Sequence, residues 1–355
     1  MLGDLAMLEG ESLKPGAATA QVPALDVLLS ELAASNYRFI TPTPVTHQRV
    51  LARAGTRAMA HTPHTLRDIF GWNRPFTASD VRPGLLGIMN AAGVLHADGD
   101  LLSSMVRVSS IGDDLFVHSA FPTLQENAVF FGPDTYRFAR FIQQGLDLTD
   151  PAPGTQANWA RAVFGRELRP LRVLDVGCGS GAGGIVAARC IRRAGRPVTV
   201  TMNDINLLAM HYTSVNATFA GIPVALAPGD ALSAVSGEFD LVISNPPYLD
   251  DPAARAYRHG GARLGRALSV RIALEALQRL APGGQLLLYT GVAIVDGVDP
   301  FMAELLPHLH RSGCDFTYSE IDPDVFGEEL ERPVYFHADR IAAVGLTVRR
   351  RLKAG

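Results

Sequence analysis

From residue 171 onward the sequence repeats one pattern, and that pattern leaves few folds open. Short, nearly continuous apolar runs at 173–176, 198–202, 224–227, 241–244 and 286–290 are mostly separated by segments of helical period at 183–194, 206–220 and 269–281. A strand that is apolar on both faces is buried on both faces. Helices between consecutive strands supply the crossovers that parallel pairing requires. The pattern therefore predicts an α/β fold whose parallel sheet is covered on both sides. A tail adds a helix near 301–311 and strands near 316–321 and 341–348.

The N-terminal part follows other rules. Thr43-Pro44 puts a capping hydroxyl before a proline at the first helical position, predicting a helix to about residue 54. Arg82-Pro83 opens another that runs to residue 92 and is stopped by Gly93. The apolar stretches 94–97 and 101–108 flank Asp98-Gly99-Asp100 and predict a β-hairpin, with a further strand at 115–118. Helices followed by a two- or three-stranded wing make a smaller α+β domain of winged-helix-like outline. Pro133, Pro151, Pro153 and Gly154 then cluster around one helix at 135–144. The expected organisation is an accessory or substrate-recognition domain at 1–120, a linker and cofactor-covering segment at 121–170, and a catalytic domain at 171–355.

Composition narrows the function classes. With 355 residues, 47% hydrophobic and 19% charged, the chain is globular and has room for two domains. No apolar stretch approaches the roughly 20 residues that cross a bilayer. No basic region followed by an apolar block opens the chain, so the expected setting is the cytoplasm, away from membranes. Cys178, Cys190 and Cys314 are isolated and fit reduced thiols. The net charge of −3 gives no global pull toward nucleic acid. His61 with His64, and His308 with His310, lack companion ligands at metal spacing, so no metal is expected. The basic clusters 189–193 and 349–353 read as solvated faces.

The first apolar run of the repeating region ends in Asp175-Val-Gly177-Cys-Gly179-Ser-Gly181. Glycines there let the backbone turn sharply and approach a ligand, and the following helix offers its N–H groups. Residues 179–184 also fit the G-x-G-x-x-G of dinucleotide binders, with Asp204 about 20 residues on. Alone, that match leaves a nicotinamide cofactor open. Asp175 tips the balance, because a carboxylate before the glycines repels a pyrophosphate but holds an ammonium. Asp204, after the second strand, suits two ribose hydroxyls. Asp230, in Gly229-Asp230-Ala231 after the third, suits an adenine amine. An amino acid joined to adenosine satisfies all three, and that molecule is S-adenosylmethionine (SAM).

After the fourth run come Asn245-Pro246-Pro247-Tyr248. Neither proline donates an amide proton, so the chain leaves the sheet in a rigid direction. The Asn245 side-chain carbonyl and the Pro246 carbonyl remain as acceptors beside the Tyr248 ring, a receptor for a planar NH2 group. These three are the candidate catalytic residues.

Asp175 to Gly181, Asp204, Asp230 and Asn245 to Tyr248 together resemble the class I SAM-dependent methyltransferases of the HemK-like, small-domain group, over about residues 125–350. That group includes release-factor glutamine methyltransferases and ribosomal RNA base methyltransferases. The resemblance implies a Rossmann-like methyltransferase sheet and SAM as cofactor. It implies a cofactor site drawn from Asp175, Gly177, Gly179, Gly181, Asp204, Asp230, Ala231 and Asn245. Phe131 to Thr135 is similar to the segment that packs over the cofactor, which adds Pro133 and Thr135. The implied acceptor is a protein glutamine amide, as on a release factor. The alternatives are a guanine N2 or adenine N6 amine of rRNA or tRNA, or a small molecule. The hairpin 94–108 carries one arginine, Arg107, and no lysine, which leans away from RNA.

Overall fold

The sheet that the alternating pattern predicts is present and has seven strands. The computed structural model describes residues 15–56, 65–146, 169–252 and 255–352. His61, His64, Pro151, Pro153, Gly154 and residue 353 lie outside them. The strands are β5 (Leu171–Val176), β6 (Val198–Asn203), β7 (Val224–Leu226), β8 (Phe239–Ser244), β9 (Leu280–Ile294), β10 (Cys314–Asp322) and β11 (Arg340–Arg350). Their spatial order is β7-β6-β5-β8-β9-β11-β10. From β7 to β9 all pairs are parallel, whereas β11 runs antiparallel to both β9 and β10. The fold is a Rossmann-like α/β sheet, preceded by a smaller α+β region.

Side chains alternate between the two faces. Val173, Leu241, Ile243 and Leu287 point to one core with helices α5 (Pro133–Gly145), α6 (Ala182–Arg193) and α7 (Leu207–Phe219). Leu174, Val176, Val242 and Leu288 point to the other, against α8 (Ala267–Leu277) and α9 (Pro300–Ser312). The chain winds outward from β5 to β7, then returns to place β8 on the other side of β5. Ligands in open α/β sheets bind at such a reversal, beyond the carboxyl ends of the strands. Val176 stands opposite Ser244, so Gly177 and Asn245 leave the sheet side by side.

Ahead of the sheet lie α1 (Pro15–Ala34), α2 (Pro44–Thr56), α3 (Leu66–Phe70) and α4 (Pro83–Ala91). Two hairpins follow, β1 (Leu95–Asp98) with β2 (Leu101–Ser104) and β3 (Val106–Ile111) with β4 (Asp114–Ser119). The single strand expected at 101–108 is therefore split. The buried Ser104 hydroxyl donates to the Val106 carbonyl (2.7 Å) and accepts from its N–H (3.3 Å), a local pairing that competes with the ladder. The wing becomes two hairpins.

The second hairpin is bound into the rest of the protein. Buried Asn216 of α7 accepts from the Val117 N–H (2.8 Å) and donates to its carbonyl (3.1 Å), standing in for a neighbouring strand. The same amide donates to the Ser180 carbonyl in the glycine turn (2.9 Å). Leu25, Leu28 and Leu32 of α1 share a core with Ala209, Tyr212 and Val215 of α7.

Strand β9 is longer than the expected 286–290. It begins before Pro282-Gly283-Gly284, where its register with β8 shifts between Phe239 and Leu241. Gly283 has φ +77° and absorbs the irregularity. Among the described residues no helix is long and apolar enough to cross a membrane.

Candidate active site

Around the carboxyl ends of β5, β6 and β8 lies a cavity with about 1310 Å³ of empty space, part of it open to solvent. The turn after β5 forms its floor. Gly177 and Gly179 have φ of +69° and +56° and both line the cavity, and the space where a Cβ would stand at either is open. Gly181 does not line it. That residue caps α6, and a Cβ there would lie 3.1 Å from Thr213.

Asp175 is 1% exposed and lines the same cavity. Its Oδ2 accepts from the Gly184 N–H (2.7 Å) near the start of α6. No cationic side chain pairs with it among the described residues. Burial pushes its carboxyl up from 3.8 to about 7, opposed by the Gly184 N–H and reinforced by the charge of Asp204. Buried carboxylates are ordinarily paired. This one faces a cavity instead, and its chemistry suits a cationic ligand.

Asp204 follows β6 and braces the floor. Its Oδ2 accepts from the Gly179 N–H and its Oδ1 from the Asn206 N–H, both at 2.9 Å. Burial raises its carboxyl, against those two donors and the Ile205 N–H. Each oxygen keeps a free lone pair for a hydroxyl donor. Asp230 is different. It lies at the rim with its carboxylate held by both guanidinium nitrogens of Arg271, one at 2.9 Å, and that pairing lowers its carboxyl. A ligand amine at this point meets the backbone of Asp230 and Ala231, or competes with Arg271. Ala231 has φ +46°, an unusual conformation for a residue with a Cβ.

The opposite wall comes from the segment after β8. Ser244 donates to the Val176 carbonyl (2.8 Å), fixing the last residues of the two central strands. Asn245 is half-buried and lines the cavity, and its side-chain amide has no hydrogen-bond partner among the described residues. The Pro246 carbonyl likewise accepts no backbone hydrogen bond among them. Tyr248 is buried, and its hydroxyl donates to Asp134 Oδ2 (2.5 Å). The ring lies so close to Gly291 that a Cβ there would be 2.2 Å from it, and Phe326 meets its edge at 5.9 Å.

Two further segments complete the enclosure. Phe326 lines the cavity with φ +55°, a strained backbone for an aromatic residue. The segment behind it is tied to the loop after Tyr248: Arg332 donates to the Asp250 carbonyl (2.6 Å), the Asp250 N–H donates to Tyr335 Oη (2.7 Å), and Arg258 pairs with Glu329. On the other side, Asn206 donates to the Asn127 carbonyl and Tyr257 Oη to the Thr123 carbonyl, both at 2.7 Å. Thr135 lines the cavity, whereas Pro133, the first residue of α5, does not. Sequence reading passed over Asp134, Phe326 and the 123–130 strap as site residues, and several of their partners lie far off in the chain: Asp134 meets Tyr248, Phe326 meets Tyr248 and Thr123 meets Tyr257. Among the described residues no three His, Cys, Asp or Glu side chains form a metal site.

Parts of this chain are similar to known methyltransferases. The methyltransferase small domain family matches residues 163–294. A release factor glutamine methyltransferase of Deinococcus radiodurans is 32% identical over 207 residues, 52% of this chain and 68% of that protein. A ribosomal RNA small subunit methyltransferase C of Pasteurella multocida is 33% identical over 117 residues, 32% of this chain but only 31% of that protein. A T. thermophilus 16S rRNA N2 methyltransferase solved with AdoMet and guanosine superimposes with a TM-score of 0.41 at 16% identity, covering 78% of this chain and 64% of the other.

Proposed function

This chain belongs to the class I SAM-dependent methyltransferases, and from that premise we propose that it methylates the side-chain amide of a glutamine in a protein substrate. The observation that carries the acceptor chemistry is Asn245, a half-buried amide with no hydrogen-bond partner among the described residues, in the cavity that the glycine turn lines. The cofactor's chemistry fits the rest of the cavity. Asp175, without a cationic partner among the described residues, would take the cofactor's ammonium, Asp204 its ribose hydroxyls and the Asp230–Ala231 backbone its adenine, with Thr135 in the same lining. When bound, SAM supplies an electrophilic methyl group next to the proline corner.

An amide nitrogen is a poor nucleophile because its lone pair is delocalised. Asn245 Oδ1 and the Pro246 carbonyl accept its two N–H bonds, favour the pyramidal form and aim the lone pair. This is catalysis by orientation and electrostatics. No strong base is needed, because a nitrogen that gains a methyl group becomes cationic and sheds its proton readily. Gly291→Ala tests the corner's precision. Its Cβ would push Tyr248 aside, and a displacement near 1 Å can cost about 100-fold. Turnover is expected to fall on that scale with SAM affinity unchanged, measured by label transfer and calorimetry.

Charge in the segment that follows the proline corner favours a protein acceptor over RNA. All five arginines from Arg255 to Arg271 are held by carboxylates: Arg255 by Asp251, Arg258 by Glu329, Arg263 and Arg266 by Glu304, and Arg271 by Asp230. Arg107 is buried and donates to the Gly71 carbonyl. We therefore expect the rate to fall less than about threefold between 50 and 200 mM salt, where binding through 6–10 phosphates would lose about 10³–10⁵ in affinity. The relatives named for release factors supply the protein class, with residues 1–120 recognising it in the cytoplasm. Incubation with methyl-labelled SAM and cell extract tests the proposal. Label should enter protein, and label confined to RNA would select the base-methylating alternative.

A further inference from the structure

Resting on the methyl-transfer reading, we propose that Asp134 is the positioning residue of the acceptor corner, acting through the hydroxyl of Tyr248. Asp134 is the second residue of α5 and 5% exposed. Its Oδ2 accepts from Tyr248 Oη (2.5 Å), and its Oδ1 accepts from Tyr289 Oη (2.8 Å) and Arg137 (3.0 Å). Arg137 also reaches Asp322 of β10 (2.7 Å). A buried carboxylate needs this many donors to be tolerated, and a short O–H···O⁻ bond is among the strong kinds.

The mechanical consequence follows from the two prolines. Asn245 and Tyr248 are joined by Pro246 and Pro247, whose φ angles are fixed. Anchoring the ring at one end therefore narrows the directions open to the amide at the other. Gly291 limits the ring on one side and Phe326 meets its edge, so the hydroxyl is the remaining handle. Asp134 immediately precedes Thr135, and both line the cavity that the glycine turn floors. One turn of α5 thus registers the acceptor corner against the cofactor site.

A double-mutant cycle tests this. Asp134→Asn and Tyr248→Phe are each expected to lower the maximal rate of label transfer into extract protein by about 10- to 100-fold. Half-saturating extract and SAM affinity by calorimetry should stay within about twofold. The double variant should be no worse than either single one, since both remove the same link. Multiplicative losses, full activity of Tyr248→Phe, or a parallel loss of SAM affinity in Asp134→Asn would overturn the proposal. If Asp134→Asn fails to fold, Tyr248→Phe alone decides it on the same criteria. If the unaltered protein labels no fraction, the methyl-transfer reading itself fails and this inference with it.

Discussion

Asn245→Ala is expected to lower the turnover of methyl transfer by about 10²–10³-fold, the scale seen when one preorganised polar contact to a reacting group is deleted. SAM affinity should stay within about twofold. The amide has no partner among the described residues, so truncation strands no buried group and costs the fold little. What is lost is the acceptor that draws the substrate amide out of its planar ground state. The Pro246 carbonyl remains, so the substrate still binds but its lone pair is no longer aimed. Asn245→Asp offers a contrasting variant. It keeps an acceptor oxygen, replaces the amide with a charge and should recover part of the loss. Single-turnover label transfer and SAM calorimetry separate the two quantities. Equal loss in both would make Asn245 a structural residue.

The second large effect belongs to Asp175→Asn, and it has opposite signs for stability and for binding. The carboxyl of Asp175 stands at about 7 in the folded protein against 3.8 as the ordinary value. Between those limits the native state holds a proton that the unfolded chain has lost. Stability from this group is thus complete below about pH 4 and is lost as the pH rises through 7. The difference corresponds to at most about 4 kcal/mol. Asp175→Asn removes the buried charge, keeps an oxygen for the Gly184 N–H, and is expected to raise the melting temperature of the empty protein at pH 8 by about 5 °C.

Binding moves the other way. A bound ammonium favours the carboxylate, so with that carboxyl at about 7 wild-type SAM affinity should rise about fivefold from pH 6 to pH 7, about tenfold by pH 8, and level off above. A proton should be released on binding near pH 6.5, seen by calorimetry in buffers of different ionisation enthalpy. Asp175→Asn should weaken SAM at pH 8 by about 10- to 100-fold, the worth of a hydrogen bond to a charged group, and flatten the pH profile. A wild-type affinity indifferent to pH would remove the ammonium from this position.

The residues at strand ends were legible in the sequence because parallel strands are apolar throughout and end abruptly. Asp175, Asp204 and Asn245 each stand at or just beyond such an end, and all three line the cavity. Other features depend on partners that no local pattern reveals. Asp134 meets Tyr248 across 114 residues and Tyr289 across 155. Asp230 looked free in sequence, but Arg271, 41 residues on, claims its carboxylate. Pro133 and Gly181 sit in the expected segments but serve helix starts rather than the cavity wall. At the break at Met105 the Ser104 hydroxyl bonds the Val106 backbone. Period and propensity carry no information about such a bond.

The most direct test of the account is a crystal structure with S-adenosylhomocysteine and a short glutamine-containing peptide bound together. The glutamine amide nitrogen should lie about 3 Å from both Asn245 Oδ1 and the Pro246 carbonyl oxygen, with the cofactor sulfur on its open side and the cofactor ammonium beside Asp175. An acceptor amide bound away from Asn245, or a cofactor ammonium far from Asp175, would contradict it.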